Sequence, residues 1–154
     1  MNLLTTLFTF FLFLSANALQ ATPLTMLTIK GYILPNLTES EYHHHLTTHH
    51  VPLVKPFLRK YNILRYTLTH QTQAMKEARK RLRLPPGTED YDVMVQFLMR
   101  DVEDFNRLWE DEEFVRTVKP DQGRLLDEER NVYTIGVYET FMDDVDVGGE
   151  MVVQ

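Results

Sequence analysis

Between Met26 and Phe141 the apolar residues change period in a fixed order, from 2 to about 3.6 and back to 2, and then repeat that order. Leu27, Ile29 and Ile33 alternate with Thr28, Lys30 and Tyr32, as in a half-buried strand. Pro35 and Asn36 end that run, and Thr38-Glu39-Ser40-Glu41 has the form of a capping box, with Thr38 as N-cap. Tyr42, Leu46 and His49 fall on one side of the helix it opens. Pro52 permits a fresh first turn carrying Leu53, Phe57 and Leu58 to about Lys60. Ile63 to Thr69 then predicts a second strand, with Leu64, Tyr66, Leu68 and His70 on one face and Arg65, Thr67 and Thr69 on the other. A basic helix from Ala74 to Leu82 and a turn at Pro85-Pro86-Gly87 lead into the second half.

There Tyr91, Val93, Val95, Phe97 and Met99 mark the clearest strand, and Asp101 caps a helix bearing Val102, Phe105, Leu108 and Trp109. The pattern loses phase over Glu110-Asp111-Glu112-Glu113 and resumes at Phe114 and Val115, which predicts a break. Lys119-Pro120-Asp121 predicts a short further turn, and Val132 to Phe141 the last strand. Two strand–helix–strand units in tandem give an α+β fold of the ferredoxin-like βαββαβ type, a four-stranded antiparallel sheet with helices on one face. A bare, semi-apolar sheet face calls for a partner, most simply a second copy of the chain. Two such sheets facing each other would form a dimeric α+β barrel whose lumen takes the ligand.

The 154 residues suffice for one domain, expected over residues 26–141. A net charge of −6 supplies no basic stripe for nucleic acid. Without cysteine there are no disulfides, thiolate metal sites or thiol nucleophiles. No glycine-rich phosphate loop and no G-x-S-x-G elbow occurs, so neither a nucleotide cofactor nor serine hydrolysis is expected. Residues 1–25 carry no charged side chain, and Ala16-Asn17-Ala18 reads as a small-x-small cleavage site. The segment is either a secretory leader or an extension upstream of a start at Met26. The first implies a secretory destination and the second a cytoplasmic one, and the run is too short for a stable membrane span. Residues 142–154, acidic and without pattern, are expected to form a disordered tail.

Five of the six histidines lie between His43 and His50. Such a cluster is either solvated surface or a set of groups that exchange protons near neutral pH. His43, His44 and His45 are consecutive and must fan around a helix, so solvent is expected for at least two of them. His45 and His49 have the i, i+4 spacing of paired metal ligands, yet no nearby carboxylate completes a triad and no metal is expected. His50, at the break before Val51-Pro52, can turn its ring toward a ligand, whereas its neighbour His49 points elsewhere. Tyr66 and His70 share a strand face about 13 Å apart. Arg65, on the opposite face, would suit a carboxylate clamp. Trp109 at helical spacing from Phe105 serves core or site.

His50-Val51-Pro52-Leu53-Val54, followed by Lys60-Tyr61-Asn62-Ile63-Leu64-Arg65-Tyr66-Thr67 and His70, resembles the first half of an EthD-type domain. Trp109 with Asp111 to Phe114, Val118-Lys119-Pro120-Asp121 and Leu125-Leu126-Asp127 resembles the second half. The nearest likeness is to small fungal EthD-domain proteins that tailor aromatic polyketides. The resemblance implies a dimeric α+β barrel, a cofactor-free site and a signature histidine at His50. The reaction it implies is decarboxylation of an anthrone- or anthraquinone-type carboxylic acid, with His50 as general acid and Tyr66 or His70 orienting phenolic oxygens. His49, Arg65 and Trp109 are the expected substrate contacts. The same apparatus would serve a dehydratase or a monooxygenase-like oxidoreductase. A secreted, non-enzymatic histidine-rich binding protein is the alternative of another class.

Overall fold

The computed structural model describes residues 23–83, 85 and 90–142. The turn expected at Pro85-Pro86-Gly87, the acidic tail and all but the end of the leader lie outside the described residues. Strands β1 (Leu24–Gly31), β2 (Arg65–His70), β3 (Val93–Met99) and β4 (Val132–Tyr138) form one sheet in the order β2-β3-β1-β4. All neighbours are antiparallel, with Ile29 opposite Val95 and Tyr133, and Tyr66 opposite Phe97. This is the ferredoxin-like arrangement that the two-fold change of period predicts. β1 begins at Leu24, so the domain takes in the last residues of the segment read as a leader.

The capping box forms as expected: the Thr38 hydroxyl accepts from the Glu41 amide, and the Glu41 carboxylate accepts from the Thr38 amide at 2.9 Å. The helix it starts, α1 (Glu39–His45), is not broken before Pro52. It runs through a π-helical turn at Leu46–His50 into α2 (Val51–Lys60), so Pro52 lies inside a continuous winding and supplies no N–H to the turn before it. Asn62, with φ of 56°, ends α2, and the Ile63 amide reaches back to the Leu58 carbonyl at 2.9 Å. A short polar side chain tolerates that left-handed conformation, and the 6→1 bond is a Schellman closure. A short α3 (Gln73–Arg79) follows β2.

In the second half α4 (Val102–Glu110) stops where the periodicity loses phase, and α5 (Glu112–Gln122) starts afresh on Asp111. Lys119-Pro120-Asp121 is not a separate turn but the last turn of α5. Asp111 accepts from the Glu113 and Phe114 amides, both at 2.9 Å, and from Lys60 Nζ at 2.6 Å and the Tyr61 hydroxyl. It thereby ties the end of α2 to the start of α5. The Lys60 bond, then Tyr61, then the Phe114 amide hold its carboxyl well below the usual carboxylate range. A depressed folded value contributes stability above the unfolded value of about 4, lost as the pH falls toward the folded value. Asp111→Ala should therefore melt earlier than wild type at pH 7, and the gap should narrow as the pH drops below about 4. Melting curves over a pH series check this; a gap unchanged by acid would mean that ionisation of Asp111 contributes nothing.

The helices cover one sheet face. Ile29, Val93, Val95, Phe97 and Met99 meet Leu46, Val54, Phe57, Leu108, Phe114 and Val118 in a continuous buried core. The opposite face is polar along its middle, where Thr67, Gln96, Thr28 and Thr134 lie side by side across the strands. Leu24, Met26, Met94, Leu98 and Val132 share that face on either side of the polar row, so it is semi-apolar, as expected. Exposed apolar strand residues also gather on β4 as Tyr133, Ile135 and Val137, at the edge the helices leave uncovered.

Candidate active site

Among the side chains that α1, the π-helical turn and α2 bury, Tyr42, Leu46, His50, Val54 and Leu58 form an unbroken series at intervals of four, with Phe57 beside its end. A four-residue interval drifts around an α-helix of 3.6 residues per turn, so the series could not stay on one face. The wider π turn at Leu46–His50 absorbs the drift. It turns His50 inward in place of His49, and leaves His49 exposed.

The partner of His50 comes from 71 residues away. Phe114, Val118 and Asp121 occupy i, i+4 and i+7 of α5, and all are buried, so Asp121 holds a carboxylate at an apolar position. Its Oδ2 lies 2.8 Å from His50 Nδ1, and its Oδ1 lies 2.7 Å from His45 Nε2. Burial lowers the imidazole of His50 below its ordinary value, against the pull of the Asp121 bond. The group is therefore neutral at pH 7, with Nδ1–H donated to the carboxylate and the Nε2 lone pair left for the cavity. Asp121 is itself held below the usual carboxylate range by its bonds to His45 and His50, which outweigh the opposing effect of burial.

His50 opens on a cavity between the helices and the covered sheet face. Leu46, Leu108, Phe114, Val118 and Phe97 are among its walls, and Tyr42, Tyr66, Gln122 and Asn131 bring polar atoms to it. The Tyr42 hydroxyl and both amide atoms of Asn131 are buried without a hydrogen-bond partner. A buried polar group left unpaired costs about 1–3 kcal/mol, so such atoms around an apolar cavity mark where a ligand or water is held. Burial pushes both phenols, Tyr42 and Tyr66, well above the ordinary tyrosine value, so they remain hydrogen-bond donors. The cavity holds about 40 Å³, room for a water or two rather than for fused rings.

The expected site residues divide accordingly. His50, Tyr66 and Trp109 share the cavity. Trp109 stacks on Phe105 at 5.6 Å between centroids and carries the Lys119 ammonium over its ring at 4.3 Å, so it is both wall and core. His70 does not join them. It lies in a second, open recess with His43 and Asp92, its ring 5.2 Å from that of His43, and burial and His43 lower its imidazole. Tyr42, which lines both spaces, separates it from His50. His49 is outside the cavity, 3.6 Å from Asp121. Arg65 is on the other side of the sheet, donating to the Tyr138 hydroxyl at 3.1 Å, because odd and even strand residues point apart. The ligand space expected between two facing sheets is thus not where these residues meet; one chain's helices and sheet enclose it. Of the histidine triplet His44 is exposed, while His43 packs on His70 and His45 is bonded to Asp121.

Asp121, Tyr42, Gln122 and Asn131 are the polar groups of the cavity and its dyad that the sequence did not single out as site residues. For Asp121 a signal existed: an acid at i+7 of an apolar series. For Asn131, in the turn before β4, there was none.

The EthD domain family matches residues 34–129, more than half of the chain. A protein of Gibberella zeae named Dehydratase aurZ is 40% identical over 127 residues, 81% of this chain and 84% of that protein. Decarboxylase claH of Passalora fulva is 31% identical over 120 residues, 77% of this chain and 78% of its own length. An EthD-like protein from Ralstonia eutropha, of known crystal structure, shares the fold at a TM-score of 0.52 and 13% identity, over 80% of this chain and 99% of that one. The matched segment spans the whole of the π-helical turn, His50 and Asp121, and with them the chain belongs to the EthD-domain family.

Proposed function

We propose that this chain is a lyase acting on an aromatic polyketide, and that its reaction is the loss of water from a β-hydroxy ketone, with His50 as the proton-transferring group. The observation that carries this reading is the buried His50–Asp121 pair at the wall of an otherwise apolar cavity. A neutral imidazole fixed through Nδ1 is a base at Nε2. Nε2 takes the proton from the carbon next to the ketone, and the electron pair moves to the ketone oxygen. The Tyr42 hydroxyl, otherwise unpartnered, donates to that developing oxyanion. The enolate then expels the β-hydroxyl, which leaves as water with the proton that His50 carries. Oxidation states balance without an electron acceptor, so the reading asks for no redox cofactor.

Decarboxylation of a related carboxylic acid is the second reading. Apolar walls that desolvate a carboxylate favour its departure, and some relatives are named decarboxylases. The cavity lining counts against it, for it contains no lysine or arginine to hold the acid, and Arg65 faces away. Either reaction requires the walls to part around the rings.

Purified full-length protein offered a β-hydroxy ketone and the corresponding carboxylic acid of one aromatic polyketide separates the readings by product mass. Loss of water accelerated over buffer supports the first. Loss of carbon dioxide alone replaces it with the second, and a folded protein that turns over neither overturns both.

A further inference from the structure

We propose that His45, His49 and Asp121 form a site for a divalent transition metal, Zn²⁺ in particular, on the solvent side of the carboxylate that holds His50. The HxxxH spacing lacked a third ligand in the sequence around it, and the fold supplies one from the end of α5. One ligand atom from each of the three residues lies within 4.8 Å of the others.

The distances carry the argument. Asp121 Oδ1 is 2.7 Å from His45 Nε2, a hydrogen bond, but 3.6 Å from His49 Nε2, too far for one. Two donors about 2.0–2.1 Å from one tetrahedral ion stand roughly 3.3–3.4 Å apart, so the His49 contact already has the span of ligands sharing a metal. The His45 contact, at 2.7 Å, reaches it by opening roughly 0.6–0.7 Å, within the reach of a side-chain rotation. The two imidazole rings are 4.9 Å apart between centroids and both aim Nε2 at the same oxygen. Among the described residues no hydrogen bond accounts for His49 being there.

Local structure supplies the rest. A π turn closes between positions five apart, so residues four and five beyond His45 flank it on either side. That is how His45, His49 and His50 all reach one carboxylate, His50 through Oδ2 and the other two through Oδ1. Asp121 is itself 5% exposed and sits in the last turn of α5, where unpaired carbonyls favour a cation. His49, 60% exposed, leaves an open approach and a fourth position for water. Two imidazoles and a carboxylate with an open place is a zinc ligand set, and the bond from Oδ2 to His50 Nδ1 is the kind of outer partner that orients such ligands. The ion would lie outside the cavity lining, clamping the π-helical turn to α5. It does not depend on the lyase reading, and its test reads binding rather than turnover.

Untagged full-length protein is stripped with a chelator and titrated with Zn²⁺ by calorimetry, and with Co²⁺ by visible absorption. Wild type is expected to bind one ion per chain, with Co²⁺ giving the intense bands of a four-coordinate site. His49→Ala, an exposed change whose fold circular dichroism verifies, should weaken binding by about 100-fold or more, since losing even an outer-shell partner costs about 10–100-fold. The double variant His43→Ala with His44→Ala should bind as wild type does. Zn²⁺ should raise the melting temperature of wild type and leave that of His49→Ala in place. Wild-type affinity in His49→Ala, or an equal loss in the His43/His44 variant, overturns the site.

Discussion

His50→Ala is expected to reduce turnover by roughly 10²–10⁴-fold, the usual worth of a positioned acid or base. The side chain is buried, 6% exposed, and its removal leaves a void beside Asp121. Part of any loss could then come from unfolding, and the comparison must be made below the melting temperature of the variant. His45 remains bonded to Asp121 Oδ1, so the carboxylate is not stranded and the fold should persist. His44→Ala, a change of a solvated side chain a few residues upstream, should leave turnover unaltered. Wild-type turnover in a folded His50→Ala protein would move the chemistry to Tyr42 or Tyr66 and dismiss the dyad.

Asp121→Asn is expected to cost about 10³–10⁴-fold in kcat for a different reason. The amide is the same size but has a single acceptor oxygen; with that oxygen kept on His45 Nε2, as Oδ1 is now, its NH₂ group meets His50 Nδ1 as a donor. That fixes the ring with its proton on Nε2, the nitrogen that must accept one; the corresponding exchange in serine proteases costs about 10⁴-fold while geometry survives. A merely structural role for Asp121 would be met by the isosteric amide, so turnover close to wild type in a protein with unchanged melting would exclude a positioning role. The expected signature is a fall in kcat with little change in KM, measured in chelator-treated protein so that loss of a bound ion does not enter. Asp121→Glu, which keeps the charge and lengthens the arm, should recover part of the activity.

The fold was legible because periodicity and capping agreed along most of the chain. The capping box at Thr38, the strand alternation around Val95 and the phase break at Asp111 each report local geometry, and each is found where the sequence puts it. The helix through the histidines was read less well. Pro52 suggested a break, whereas the chain winds continuously through a π turn, and that single difference exchanged the positions of His49 and His50. The candidate site was legible in half. Tyr66 follows from the alternation of its own strand, whereas helical spacing favours His49, and His50 follows only from the family resemblance and from a break at Val51-Pro52 that the structure replaces by continuous winding. Asp121 was visible only as an acid misplaced on an apolar face, and its connection to the histidines spans 71 residues that no local pattern bridges. His70 and Arg65 were placed by strand alternation alone, which gives the face but not which recess on that face a side chain reaches.

The π-helical turn has a further consequence. Between Leu46 and His50 the chain carries one residue more than an α-helix would need to cover the same stretch of core. Deleting Thr48, an exposed side chain bonded only to the His44 carbonyl, would leave every histidine in the sequence. It would also let the segment relax to an ordinary helix in which Tyr42, Leu46, His50 and Val54 stand at i, i+4, i+7 and i+11, one face of a 3.6-residue period, so the ring of His50 would stay on the buried side. A comparison of amino-acid types at aligned positions would register only a lost threonine. A chain one residue shorter here would therefore still present its imidazole to the carboxylate, and the extra residue sets how the helix winds between two buried positions rather than whether a histidine faces inward.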